Sequence, residues 1–129
     1  MPHFNIEYSA NLAGKVDMQV LVDVIHEAIV SLGPFPLGGL RVRAFPTDTY
    51  AIADRLPENA FIDMSFRIGT GRSEAEKKRA GEVIFNAVSE HLKPLLGTPH
   101  FMLSLEIREI DPDLSWKKNA IHARLSGNQ

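Results

Sequence analysis

The stretch AFIDMSFRIGTGRSEAE, residues 60–76, changes from one periodicity to another. Ile62, Met64, Phe66 and Ile68 alternate with Phe61, Asp63, Ser65 and Arg67. A period of two places the first set on one apolar face of a strand. Ser73 and Glu76 then stand in the S-x-x-E spacing of a capping box, in which each side chain satisfies the other residue's backbone N–H. A strand therefore ends and a helix begins across one short glycine-containing turn. The helix is predicted over about residues 73–96, with Ala80, Val83, Ile84, Ala87, His91 and Leu95 on its inner stripe. Pro94 is expected to kink its last turn and Gly97 to end it. FMLSLEIREI, residues 101–110, returns as a strand with Leu103, Leu105 and Ile107 inward. A helical crossover makes the two strands parallel.

The same order stands upstream. PHFNIEYS, residues 2–9, alternates Phe4, Ile6 and Tyr8 with His3, Asn5 and Glu7 and reads as a strand. A helix follows over about residues 17–32, capped by Asp17 and stopped by Gly33 and Pro34. Its buried stripe is predicted as Leu21, Val24, Ile25, Ala28 and Leu32. LRVRAF, residues 40–45, is the next strand. The expected fold is α+β, a doubled β-α-β unit in one domain, with pseudo-repeats of about 1–59 and 60–129. One mixed sheet is backed by two helices. With both helices on one side, the other sheet face is under-covered, and an oligomer would cover it. Short strands are further expected at 50–53 and 120–125, the second after a turn at Asp111-Pro112.

Composition narrows the functional classes. The chain has 129 residues, 44% hydrophobic and 23% charged, with a net charge of −2. That describes a single globular domain with no electrostatic case for nucleic acid or acidic membranes. Cysteine is absent, which excludes a disulfide framework and a thiolate nucleophile. The five histidines lack metal-ligand spacing, and the proton-transfer chemistry read below requires no metal or organic cofactor. IGTGR, residues 68–72, lacks the Lys and Ser/Thr of a phosphate loop. No signal sequence or membrane span is read, and a cytoplasmic location is expected.

Strand direction brings a chemical group together. Pro2 opens the first strand and Arg41 the second, parallel to it. If the second unit runs antiparallel to the first, the turn carrying Arg72 reaches the same rim. Once Met1 is removed, as a small second residue normally permits, Pro2 carries a secondary amine. Burial and neighbouring guanidinium groups disfavour an ammonium, which brings such an amine toward neutral pH. A base of that kind suits carbon–proton transfer, and arginines suit carboxylates and developing enolates. Arg72 is also an unusual cation to find just before a helix N-terminus, where negative charge is favoured. Met-Pro alone is an ordinary strand start, and Arg41 and Arg43 alone are an ordinary polar strand face. Trp116 suits core packing or a subunit contact.

Taken together, MPHFNIEYSANL, FPLGGLRVRA, DTYAIAD, AFIDMSFRIGTGRS and LSLEIREIDPDLSWKKNAIH resemble the 5-carboxymethyl-2-hydroxymuconate isomerases of the tautomerase superfamily, at matching intervals over nearly the whole chain. The resemblance implies a homotrimer of tautomerase-like units acting on a small polycarboxylate from homoprotocatechuate (4-hydroxyphenylacetate) breakdown. It implies enol–keto tautomerisation of 5-carboxymethyl-2-hydroxymuconate to 5-carboxy-2-oxohept-3-enedioate. Pro2 would be general base and then acid, Arg41 and Arg72 its catalytic partners, and Arg43 a substrate-binding residue. Two other readings stand beside it. One is a related tautomerase acting on a smaller enol such as phenylpyruvate. The other is a non-catalytic trimer that binds carboxylates.

Overall fold

The computed structural model describes residues 1–127. Four strands form one sheet in the order β2-β1-β3-β4: β1 (His3–Ser9), β2 (Arg41–Thr47), β3 (Ala60–Ile68) and β4 (Phe101–Glu109). β1 pairs parallel with β2, β3 parallel with β4, and β1 antiparallel with β3. The register sets His3 opposite both Arg41 and Arg67, so the start of β1 and the end of β3 share a rim.

α1 (Met18–Leu32) and α2 (Glu74–His91) cross over within their units and pack against each other. Asp17 caps α1 by accepting from the backbone N–H groups of Gln19 and Val20. The reciprocal Ser73–Glu76 box starts α2. Gly33 follows α1 at φ 94°, a conformation that glycine adopts without Cβ strain. Both helices lie over the apolar sheet face. There Phe4, Ile6, Ile62, Met64, Phe66 and Ile68 join Leu21, Ile25, Ile29, Ala80, Ile84 and Val88 in one core. Each large apolar side chain buried there contributes about 1.5–3 kcal/mol. Phe4, Phe66 and Phe35 form a chain of tilted rings, with centroids 5.5 and 5.1 Å apart. The opposite face, with Asn5, Glu7, Arg43, Asp63, Arg67 and Glu106, has neither α1 nor α2 over it.

Several local expectations are corrected. The segment 50–53 is not a strand; Ala53 within it and Arg55 just beyond it take positive φ of 51° and 65°. Residues 120–125 form a helix, α4 (Ala120–Leu125), because Asn119 accepts from the His122 N–H and caps it. The second helix is divided. α2 ends at His91, Leu92 intervenes, and α3 (Lys93–Leu96) restarts with Pro94 near its N-terminus, where proline is tolerated. The α2 stripe is set by Ala80, Ile84 and Val88 and continued by Leu92 just beyond it, while His91 is exposed. Ile29 is buried on α1, where Leu32 is only half-buried. In both helices the true stripe follows four-residue steps, consistent with burial of a narrow line between sheet and neighbour. Trp116 is 86% exposed, which excludes core packing within the chain.

Candidate active site at the strand-start rim

Pro2 is buried directly before β1, and its carbonyl accepts from the Arg41 N–H at 3.1 Å. A short 3-10 turn, Leu37–Gly39, packs beside it, with Gly39 facing the Pro2 ring and Met1. Met1 precedes Pro2 in this chain, so the ring nitrogen is an amide and the ionisable terminus is the Met1 amine. That amine is held below its ordinary value by burial first, then by the charges of Lys117, Arg41 and Arg72. Removal of Met1 transfers the amine one residue inward, to the more buried Pro2.

The named arginines differ in their engagements. Arg41 donates from Nε and Nη2 to the Gly39 carbonyl at 3.2 and 3.1 Å, which anchors its guanidinium beside the Leu37–Gly39 turn. Its own pKa is lowered by burial and by Arg43 and Arg67. Arg72 donates from Nη2 to Pro34 O at 2.8 Å and from Nη1 to Gly69 O at 3.3 Å. Its guanidinium stacks 4.4 Å from the Phe35 ring centroid, while its buried Nε has no hydrogen-bond partner. Arg72 therefore ties the turn after β3 to the turn after α1. Arg43 is exposed two residues from Arg41 on the same face of β2.

Three neighbours were not assigned to the rim from sequence. His3 lies among Arg41, Arg43 and Arg67. Burial first, then Arg41, Arg67 and Arg43, lower its pKa to about 4, so it is neutral at neutral pH. Arg67 reaches the rim because β3 is antiparallel to β1. Lys117 arrives on the segment after β4, which crosses the strand ends. Strand alternation alone signals that His3 and Arg67 are on the open face. Nothing local signals Lys117. A cavity of about 700 Å³ is bordered by Met1, His3, Arg41, Arg67, Trp116 and Lys117, among others. Among the described residues, no acidic side chain borders it. Also among the described residues, no group of His, Asp and Glu is placed to hold a metal ion, and no helix is long and apolar enough to cross a membrane.

A half-buried terminus amid cations can lower an amine's proton affinity and attract carboxylates. Proteins similar to the chain carry related chemistry in their names. The family model for 5-carboxymethyl-2-hydroxymuconate isomerase matches residues 2–125. A 5-carboxymethyl-2-hydroxymuconate Delta-isomerase of Escherichia coli is 36% identical over 95% of this chain and 98% of the relative. The crystal structure of a 5-carboxymethyl-2-hydroxymuconate isomerase from Deinococcus radiodurans R1 is 37% identical, with a TM-score of 0.89 over 96% of this chain and 93% of that one. A fused 4-OT wild-type symmetric trimer shares the fold alone, at 12% identity and a TM-score of 0.65, over 94% of this chain and 98% of that one.

Proposed function

Because the chain belongs to the 5-carboxymethyl-2-hydroxymuconate isomerase family, and is an isomerase of tautomerase-like fold, we propose that it converts 5-carboxymethyl-2-hydroxymuconate to 5-carboxy-2-oxohept-3-enedioate with Pro2 as its proton carrier. In this reading Met1 is removed. The Pro2 amine takes the proton of the 2-hydroxyl group, and the electron pair moves through the diene as the ketone forms. The same amine then returns a proton to the distal carbon. Arg41 and Arg72 stabilise the oxyanion that develops in between, and Arg43 holds a substrate carboxylate. A homotrimer covers the open sheet face, in a cytoplasmic setting.

The depressed basicity of the Met1 amine carries this proposal, because removal of Met1 leaves the amine on Pro2, beside the same cations. Burial and three cationic neighbours favour a neutral amine there, which is the form a general base needs. Arg72 contributes from the second unit, held in place by the Pro34 and Gly69 carbonyls. The test pairs N-terminal mass analysis with an ultraviolet tautomerisation assay. Processed protein beginning at Pro2 is expected to turn over, and protein retaining Met1 to be nearly inactive. Equal rates from the two forms would exclude Pro2 as the base.

A further inference from the structure

We propose that Lys117, carried across the strand ends by the segment between β4 and α4, is a carboxylate-binding residue that selects polyanionic over monoanionic substrates. This inference rests on the isomerase reading for its substrate class, and on the geometry of the C-terminal segment for its location.

That segment is latched in place by contacts remote in sequence. Asn119 donates from Nδ2 to the Gly38 carbonyl at 2.8 Å, across 81 positions, while its Oδ1 caps α4. α4 lies so close to the Leu37–Gly39 turn that a Cβ on Gly38 would stand 2.6 Å from the His122 Cα. Only glycine admits that approach. Lys117 is two residues before this latch, so its backbone is anchored while its side chain remains exposed.

The surroundings of Lys117 are suited to anions. It borders the cavity of about 700 Å³ and also a second one of about 270 Å³, and Met1 likewise borders both. Lys117 is thus at the junction of the two spaces beside the chain terminus. The larger space also has Arg41, Arg67 and Lys118 on its wall. Among the described residues Lys117 makes no salt bridge, in contrast to Lys77, which pairs with Glu109 at 3.4 Å. Four like charges around one concavity repel one another, and carboxylates relieve that repulsion. Arg41 already donates twice to Gly39, and Arg67 and Lys118 border only the larger space, so Lys117 is best placed to meet a second carboxylate.

Trp116 supplies a direct reporter, since it is the single tryptophan and borders the same cavity. Its fluorescence is followed while processed protein is titrated with propane-1,2,3-tricarboxylate or with acetate. The tricarboxylate dissociation constant is expected to rise about fivefold in Lys117→Gln, the upper end for an exposed charge pair. Lys117→Arg should restore it, and the response to acetate should not change. Asn119→Ala, which releases the latch, should reproduce the Lys117→Gln loss. An equal tricarboxylate constant in wild type and Lys117→Gln, or no tricarboxylate binding to wild type, overturns the assignment. Lys117-dependent tricarboxylate binding in a processed wild type that does not isomerise the muconate upholds the subsite and overturns the reaction instead.

Discussion

The two ends of the sheet treat polar groups in opposite ways. At the far end, where β1 finishes and β3 begins, polar groups are matched within the chain. Asn59 is nearly buried, and its Nδ2 donates to Ile52 O at 3.1 Å and Asp54 Oδ1 at 2.7 Å. Asn11 donates to Asn59 O at 2.7 Å, and Ser9 Oγ accepts from the Phe61 N–H at 3.0 Å. The exception is Asn11 Oδ1, which has no partner. At the near end, His3, Arg41, Arg67, Lys117 and Lys118 border one cavity without an acid among the described residues, and His3 Nδ1 and Arg72 Nε are unpaired. A closed network of this kind holds loops together, whereas a like-charged set costs stability and is suited to an anionic ligand. The difference separates architecture from the candidate site.

The sharpest break of the comparison is Pro2→Ala. It should lower kcat by about 10²- to 10⁴-fold in the ultraviolet assay, with part of that loss rescued by alanine's own primary amine, while the melting temperature hardly moves. An unchanged kcat would place the chemistry elsewhere. Asn59→Ala should do the reverse. Losing its bonds to Ile52 and Asp54 is expected to cost about 2 kcal/mol in urea unfolding, with kcat preserved in the folded fraction.

Arg72→Ala should touch both properties, since Arg72 joins the site to the aromatic core through Phe35. A loss of at least tenfold in kcat/KM is expected, from about 1.5–3 kcal/mol of charge-assisted interaction. Removing this cation also raises the amine pKa, so the rising limb of the pH–rate profile should move to higher pH. A fall in kcat assigns Arg72 to the transition state, and a rise in KM alone assigns it to substrate binding. Wild-type kcat/KM with an unmoved profile would remove Arg72 from the site.

The smallest effect concerns His3. Its folded pKa of about 4 lies below the ordinary 6.5, so between those values the unfolded chain binds more protons. Stability should therefore fall as pH drops from about 6.5 toward 4, and His3→Gln should flatten that slope in thermal melts. An identical slope in the variant would show that the dependence arises at other groups.

Much of this was legible along the chain. Period-two alternation identified β1, β3 and β4, the Asp17 cap and the Ser73–Glu76 box marked the helix starts, and crossover logic placed Pro2 and Arg41 on parallel neighbours. The alternation and the caps depend on residues a few positions apart, where local sterics and hydrogen bonding dominate. Tertiary structure decided the rest. Residues 120–125 lack an apolar stripe long enough to specify a helix, and α4 forms where Asn119 and Gly38 meet across the fold. Arg72 reads in sequence only as an unusual cation before a helix start, yet its donors reach Pro34 and Gly69 because the turns after α1 and β3 are adjacent. Lys117 lies in a tail with no periodicity and becomes a neighbour of the chain terminus only through that long-range latch. Local patterns determine elements, because each turn or pleat is closed by near neighbours. The charges that share a cavity are determined by packing, which brings together residues that no short-range interaction connects.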